Sequence, residues 1–216
     1  TQHISRVVIH PKNPNIVFVA AQGALYGPNK ERGIFKSVDG GVTWNKILYV
    51  NDLTGCSELS MDYSNPLVMY AAMWEHQRLP WKVISGGPGS GLYKATDGGV
   101  TWNQIHNGLP KEKGKMAIAV SRSNSEKVYA LVESDSNKEL GGLFSSSNGG
   151  GNWTKISSDH SLIQRAWYYI ELFIDPTDEE KLYVLNASAQ RSIDGGKTWS
   201  RITGTHGDYH DLWINP

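Results

Sequence analysis

Short apolar runs recur along the chain, some alternating and some continuous, each bounded by turn residues and each too short for a helix of ordinary length. Ile4–His10 alternates and stops at Pro11, and 16–21 is unbroken. The same succession returns three more times, with strands predicted over 57–62 and 68–74, over 116–121 and 127–133, and over 168–175 and 181–187. Each unit then adds a short strand on either side of a glycine-rich turn. The pattern predicts an all-β chain of four-stranded antiparallel units over 4–48, 57–107, 116–157 and 168–203. Residues 211–216 repeat the register of Glu171–Pro176 and are expected to open a fifth unit. No amphipathic helix is predicted.

The glycine-rich turns are near-copies of one octet. Ser37-Val38-Asp39-Gly40-Gly41-Val42-Thr43-Trp44 returns with Asp97 and Trp102, then with Asn148 and Trp153, then with Asp194 and Trp199. Self-similarity at a spacing of about 50 residues is the mark of a repeat architecture. Asp-Gly between apolar runs is a strong hairpin signal, because the turn needs positive φ and the carboxylate can accept a nearby backbone N–H. An acceptor bond to the residue two positions on is expected. Thr then starts the outgoing strand, and Trp supplies an apolar plate between neighbouring units. The third copy, with Asn148 for Asp and Asn152 for Thr, is expected to be the weakest. Four equivalent acidic turns on four repeats read as scaffold rather than chemistry.

The octets resemble the Asp-box, S-x-D-x-G-x-T-W, of bacterial-neuraminidase-type repeats, shared by sialidases, xyloglucanases and sortilin-type receptors. The resemblance implies β-propeller blades, with each box on the turn between the third and fourth strands, on the face opposite any active site. Ile4–Pro11, Gly86–Lys94, Tyr168-Tyr169 and His206–Trp213 further resemble a family of exported bacterial proteins with sortilin N-terminal-like propellers, loosely labelled glycosyl hydrolases. That likeness implies that the chain holds roughly half or less of a natural blade set. It implies a secreted, periplasmic or cell-surface location, with the remaining blades of a longer chain or a second copy as partner.

Composition narrows the field. Lys plus Arg and Asp plus Glu each total 21, so no basic excess recruits nucleic acid or an acidic membrane. No apolar run reaches the length of a membrane span, and no signal peptide is visible. The chain starts at Thr1 rather than Met, which reads as a mature or excised segment. Cys56 is the only cysteine, which excludes an intrachain disulfide.

Function is expected on the rim opposite the boxes, where the loops between second and third strands meet the links between blades. Two long loops fall there, 22–32 and 75–90, the latter with Glu75, His76, Arg78, Trp81 and Lys82. Trp81 between cations suits a sugar ring or an acidic group, or else folds over a neighbouring blade. Arg165 and Tyr168 are expected to enter the central channel. His206, Asp208 and His210 alternate, which in an extended backbone aligns them on one face as a conceivable metal set. No metal or other cofactor is assigned: the glycines of 85–91 lack the Gly-Lys-Ser/Thr ending of a phosphate loop, and the oxygen-rich stretch 133–139 lacks the glycine of a calcium loop.

Two functions compete. One is a non-catalytic binding or assembly segment that grips a glycan or a protein through the rim. The other is part of a glycoside hydrolase of xyloglucanase type, with a carboxylate pair drawn from Asp52, Glu58, Glu75 and Asp208. A sialidase fits poorly, because the Arg-Ile-Pro segment of that class is absent.

Overall fold

The computed structural model describes residues 1–134, 140–204 and 206–215. The calcium-loop stretch considered above therefore lies, from 135 to 139, outside the described residues. The chain folds into four antiparallel sheets, each a meander of strands in sequence order, arranged as the blades of a β-propeller. Blade 1 holds β1 (Ile4–Ile9), β2 (Val17–Ala21), β3 (Gly33–Ser37) and β4 (Asn45–Leu48). Blade 2 holds β5 (Thr54–Met61), β6 (Met69–Leu79), β7 (Lys82–Ser85), β8 (Gly91–Ala95) and β9 (Asn103–Ile105). Blade 3 holds β10 (Met116–Val120), β11 (Val128–Val132), β12 (Gly142–Ser146) and β13 (Thr154–Ser157). Blade 4 holds β14 (Glu171–Ile174), β15 (Leu182–Leu185), β16 (Ala189–Ser192) and β17 (Ser200–Arg201). The described helical structure is one 3-10 turn, His160–Ile163.

The boxes clamp the outer hairpins. Ser37 Oγ donates to Asp39 and accepts from the N–H of Gly41 at 2.8 Å. Asp39 accepts from the N–H and hydroxyl of Thr43 at 2.9 and 2.6 Å, and the indole of Trp44 donates to the Gly41 carbonyl. The box of Asp194 repeats these bonds. The acceptor bond thus spans four residues rather than two. It holds Thr and Trp inside the turn, so each outgoing strand starts later than the pattern predicts. In the third box Ser146 and Asn148 keep the backbone bonds without the threonine hydroxyl. The second box is thinned as well, because Ala95 has no hydroxyl to offer. Both glycines of every box have positive φ, from 62° to 96°.

Each box rests on the turn between the first two strands of its own blade, through bonds such as Gly40 N–H to the Asn15 carbonyl and Gly195 N–H to the Glu180 carbonyl. Box turns and first turns therefore share one rim. The loops after the second strands and the links between blades share the other.

Three apolar clusters join blade 1 to 2, 2 to 3 and 3 to 4. Adjacent inner strands are stitched as well. Ser5 sits at a bulge in β1 and donates to the Cys56 carbonyl of blade 2 at 2.7 Å. Ser57, at the corresponding bulge in β5, donates to the Met116 carbonyl of blade 3 at 2.9 Å. No apolar cluster joins blade 4 to blade 1 among the described residues. A cavity of about 360 Å³ opens among the inner strands of all four blades, with Val7, Leu59, Ile118 and Leu172 in its lining beside Leu212 and Trp213. Residues 211–215 run along it without forming a strand.

In the boxes of blades 2 and 4 the second glycine has no room for a side chain. At Gly196, φ is 89° and an added Cβ would stand 2.1 Å from Leu143 Cδ2 in the blade 3–4 cluster. Gly196→Ala should lower unfolding free energy by about 1–3 kcal/mol in urea titrations. Gly204→Ala, at φ 80° but in open space, should lose only the backbone part, about 1 kcal/mol.

Candidate binding site

The inner strands bring one repeated position together. Counting back four residues from the turn residues His10, Asp62, Ser121, Asp175 and Asn215 gives Arg6, Glu58, Ala117, Glu171 and Asp211. Four of the five meet. Arg6 donates to Glu58 through Nε at 2.7 Å and Nη2 at 2.8 Å, to Glu171 through the same Nη2 at 2.6 Å, and to Asp211 through Nη1 at 3.3 Å. Bulges at Ser5 and Ser57 immediately precede two of these residues and aim their side chains inward. Burial, and then the charge of Glu58, push the Glu171 carboxyl well above the usual range. Lys115 completes the cluster: it is buried, donates to the Tyr168 carbonyl at 3.1 Å and lies 5.4 Å over the Trp74 ring. Burial lowers its pKa against the pull of Glu171, Glu58 and Glu133.

The 75–90 segment is not a loop. β6 continues to Leu79 and folds back on β7, from His76 opposite Ser85 to Leu79 opposite Lys82, so the segment is a hairpin raised above the rim. His76 lies inside its base, 2% exposed, stacked on Trp74 with ring centroids 4.1 Å apart. Arg32 Nη1 reaches His76 Nδ1 at 3.0 Å and also donates to the Leu53 carbonyl, while Nη2 donates to the Ala24 carbonyl. Burial and the Arg32 charge lower the His76 pKa to about 3. His76 is therefore a packed, neutral core residue and not a free rim ligand. Glu75 is engaged too, accepting from Gly89 N–H at 2.8 Å, and the glycines of 85–91 let the chain close over it. Arg78, Trp81 and Lys82 remain exposed, with Trp81 at the tip.

Beneath the hairpin is a cavity of about 260 Å³, where Arg78, Leu25 and Gln22 face Trp167 and Tyr168. Tyr168 was expected in the channel, but β14 starts only at Glu171, and the turns before it hold Trp167 and Tyr168 out on the rim. Arg165, at φ 60°, lines a separate hollow of about 230 Å³ with His160 and Glu133. Trp167, Tyr168, Tyr169 and His210 form a continuous aromatic row, with successive centroids 6.0, 5.0 and 4.4 Å apart. Asp208 has φ 66° and accepts from the Tyr169 hydroxyl, while His206 Nδ1 lies 2.8 Å from the Gly207 carbonyl. That kink breaks the alternation on which a shared face for His206, Asp208 and His210 depended. Of the other expected carboxylates, Asp52 accepts from Tyr49 and Glu58 is bound by Arg6. Arg6 and Lys115 were not among the expected site residues, and the repeated register aligned Glu171 with Asp211 without assigning either a role.

Comparison with known proteins agrees with this architecture. The BNR/Asp-box repeat model matches residues 190–201. A xyloglucanase of Paenibacillus sp is 25% identical over 229 residues, covering 91% of this chain and 20% of its own length. The xyloglucanase Xgh74A of Acetivibrio thermocellus is 24% identical over 223 residues, covering 91% of this chain and 25% of its own. Among solved structures, an ancestral GH74 enzyme superposes with TM-score 0.66 at 16% identity over 95% of this chain and 26% of its own. The GH74 xyloglucanase of Xanthomonas campestris gives 0.64 at 16%, over 94% and 31%. The chain is an Asp-box β-propeller resembling GH74 xyloglucanases. It spans a quarter or less of the curated relatives it matches.

Two outcomes follow from these environments. Arg6→Met strands Glu58 and Glu171 without their cation, so it should destabilise by roughly 3–5 kcal/mol at neutral pH. The gap to the wild type should shrink on acidification, as protonation of Glu171 removes an unpaired buried charge; urea melts at two pH values check this. His76 takes up a proton in the unfolded chain near pH 6.5 but in the folded one only near pH 3, so it withdraws stability as pH falls through that window. Its imidazole nitrogen shifts in NMR should stay those of neutral histidine from pH 8 to pH 4.

Proposed function

We propose that this chain is part of a glycoside hydrolase of xyloglucanase type, and that its four blades supply sugar-binding groups rather than the acid–base pair. The observation that carries the reading is similarity to two xyloglucanases along 91% of the chain. The rim offers what a glucan chain needs. Trp167 and Tyr168 present half-open aromatic faces, and Arg78 and Gln22 stand opposite as donors. A polysaccharide of this kind is met outside the cell, so export belongs to the reading, and no described helix is long and apolar enough to cross a membrane.

The carboxylates favour binding over cleavage by these blades. An inverting pair stands about 6.5–9.5 Å apart with a water between. Glu58 and Glu171 instead bond to the same Arg6 nitrogen, which leaves no space for that water and holds both as salt-bridge partners. Asp52, Glu75 and Asp208 are each tied to a neighbour and do not face one another across a cavity. The same observation is what favours the second reading, a sortilin-like propeller that binds without catalysis.

Xyloglucan affinity electrophoresis of the purified chain tests the proposal, with reducing-sugar release measured in parallel. Retarded migration is expected, weakened about tenfold by Trp167→Ala or Tyr168→Ala, with no reducing ends released. Unretarded migration, with no heat on titrating xyloglucan oligosaccharides at millimolar concentration, overturns the glucan reading. Release of reducing ends by the chain would place the acid–base pair within these blades.

A further inference from the structure

We propose that the hollow at the foot of the β6–β7 hairpin binds the carboxylate of an acidic sugar, with Lys113 as its cation. That the ligand is a sugar rests on the glucan reading above; that it is an anion rests on the hollow itself. The space is about 490 Å³, between residues 85–88 of blade 2 and the link 111–114 to blade 3. Apolar clusters join blade 2 to blades 1 and 3, and blade 3 to blades 2 and 4, so both walls belong to blades flanked on either side. The cavity facing Trp167 lies against the same hairpin, at Val83 and Ile84.

Two buried lysines stand on that link, and they differ in one respect. Lys113 and Lys115 are 7% and 6% exposed. Lys115 is drawn toward its charged form by Glu171, Glu58 and Glu133. Lys113 has no ion pair among the described residues; its ammonium donates to the Lys111 carbonyl at 3.3 Å, and burial lowers its pKa with no carboxylate acting against the shift. An ammonium has three protons to donate, so two stay open among the described residues. A buried charge without a counter-charge is costly, and an anion in the hollow offsets that cost.

The lining selects among anions. Lys111 and Lys113 against Glu112 leave one net positive charge, which matches a carboxylate better than a phosphate dianion. Gly87 lines the space as well, and its N–H takes no acceptor among the described residues. Gly86, at φ 118°, lets the two walls touch: an added Cβ there would stand 2.7 Å from the Lys113 carbonyl. The position of Lys113 is thereby fixed by backbone packing rather than by a partner for its charge. A space of this size exceeds what a carboxylate fills and admits the ring that carries it.

Amide shifts in NMR spectra of the purified chain test this, in titrations with sodium glucuronate, glucose and sodium acetate at constant ionic strength. Glucuronate should shift Gly86, Gly87 and Gly114 and bind about tenfold tighter than glucose or acetate. Lys113→Met should weaken glucuronate binding about tenfold or more, while Lys113→Arg retains it. Without ligand, Lys113→Met should melt no lower than the wild type, because it removes a buried charge that nothing in the described fold pairs. Xyloglucan oligosaccharides in the same spectra report on Trp167 and Tyr168, so the neutral-glucan site and this one can fail separately. No shift with glucuronate, or shifts of equal size from glucose or acetate, overturn the proposal. So does glucuronate binding that Lys113→Met leaves unchanged, or a melting temperature that this substitution lowers.

Discussion

A propeller blade has two apolar faces and can cover neither by itself. Its strands alternate Phe18 and Ala20 toward one neighbour with Val17 and Val19 toward the other. Every other feature of the scaffold serves to bring a second blade against those faces at a fixed angle. Burial of a leucine or isoleucine contributes about 1.5–3 kcal/mol, while a single box hydrogen bond contributes about 1 kcal/mol. The inter-blade clusters therefore supply most of the stability, and the boxes supply geometry. By locking the bend between third and fourth strands, the box of blade 2 presents its second glycine to the blade before it, as Gly99 lies on Ile47 of blade 1.

The inner strands face a different demand, because one repeated position from three of them meets at the centre of the propeller. The chain fills it with charge. Arg6 gathers Glu58, Glu171 and Asp211, and Lys115 sits behind them. Removing such groups from water costs several kcal/mol per ion, so the cluster is weak as a source of stability. Its effect is to fix register. A slip of one residue in β14 would turn Glu171 away from Arg6 and Leu172 toward the channel.

Much of this was legible in the sequence, and the reasons differ by residue. The boxes and strands were visible because turn chemistry and alternation are local. The rim was harder. Nothing in Glu75–Leu79 distinguishes a loop from a continued strand, because its polar side chains point into a hairpin that exists only above the blade. His76 read as a free ligand because the stacking of Trp74 and the reach of Arg32, 44 residues away, are tertiary. The Asp208 turn hid for a similar reason: a positive φ at a non-glycine residue leaves no mark in the alternation of histidines around it.

The rim opposite the boxes departs from the repeat. Among the described residues, only blade 2 adds a further hairpin between its second and third strands, by extending β6 and pairing it with β7. That extension is anchored at its base: Trp74 donates to Ser85, and Ser85 to Glu133 of blade 3. Arg32 of blade 1 and His76 of blade 2 close the other side. The hairpin is thus fixed to three blades, so Arg78 is held opposite Trp167 by the scaffold rather than by a flexible loop. A wall of this rigidity would carry little ordering entropy into the glucan binding proposed above.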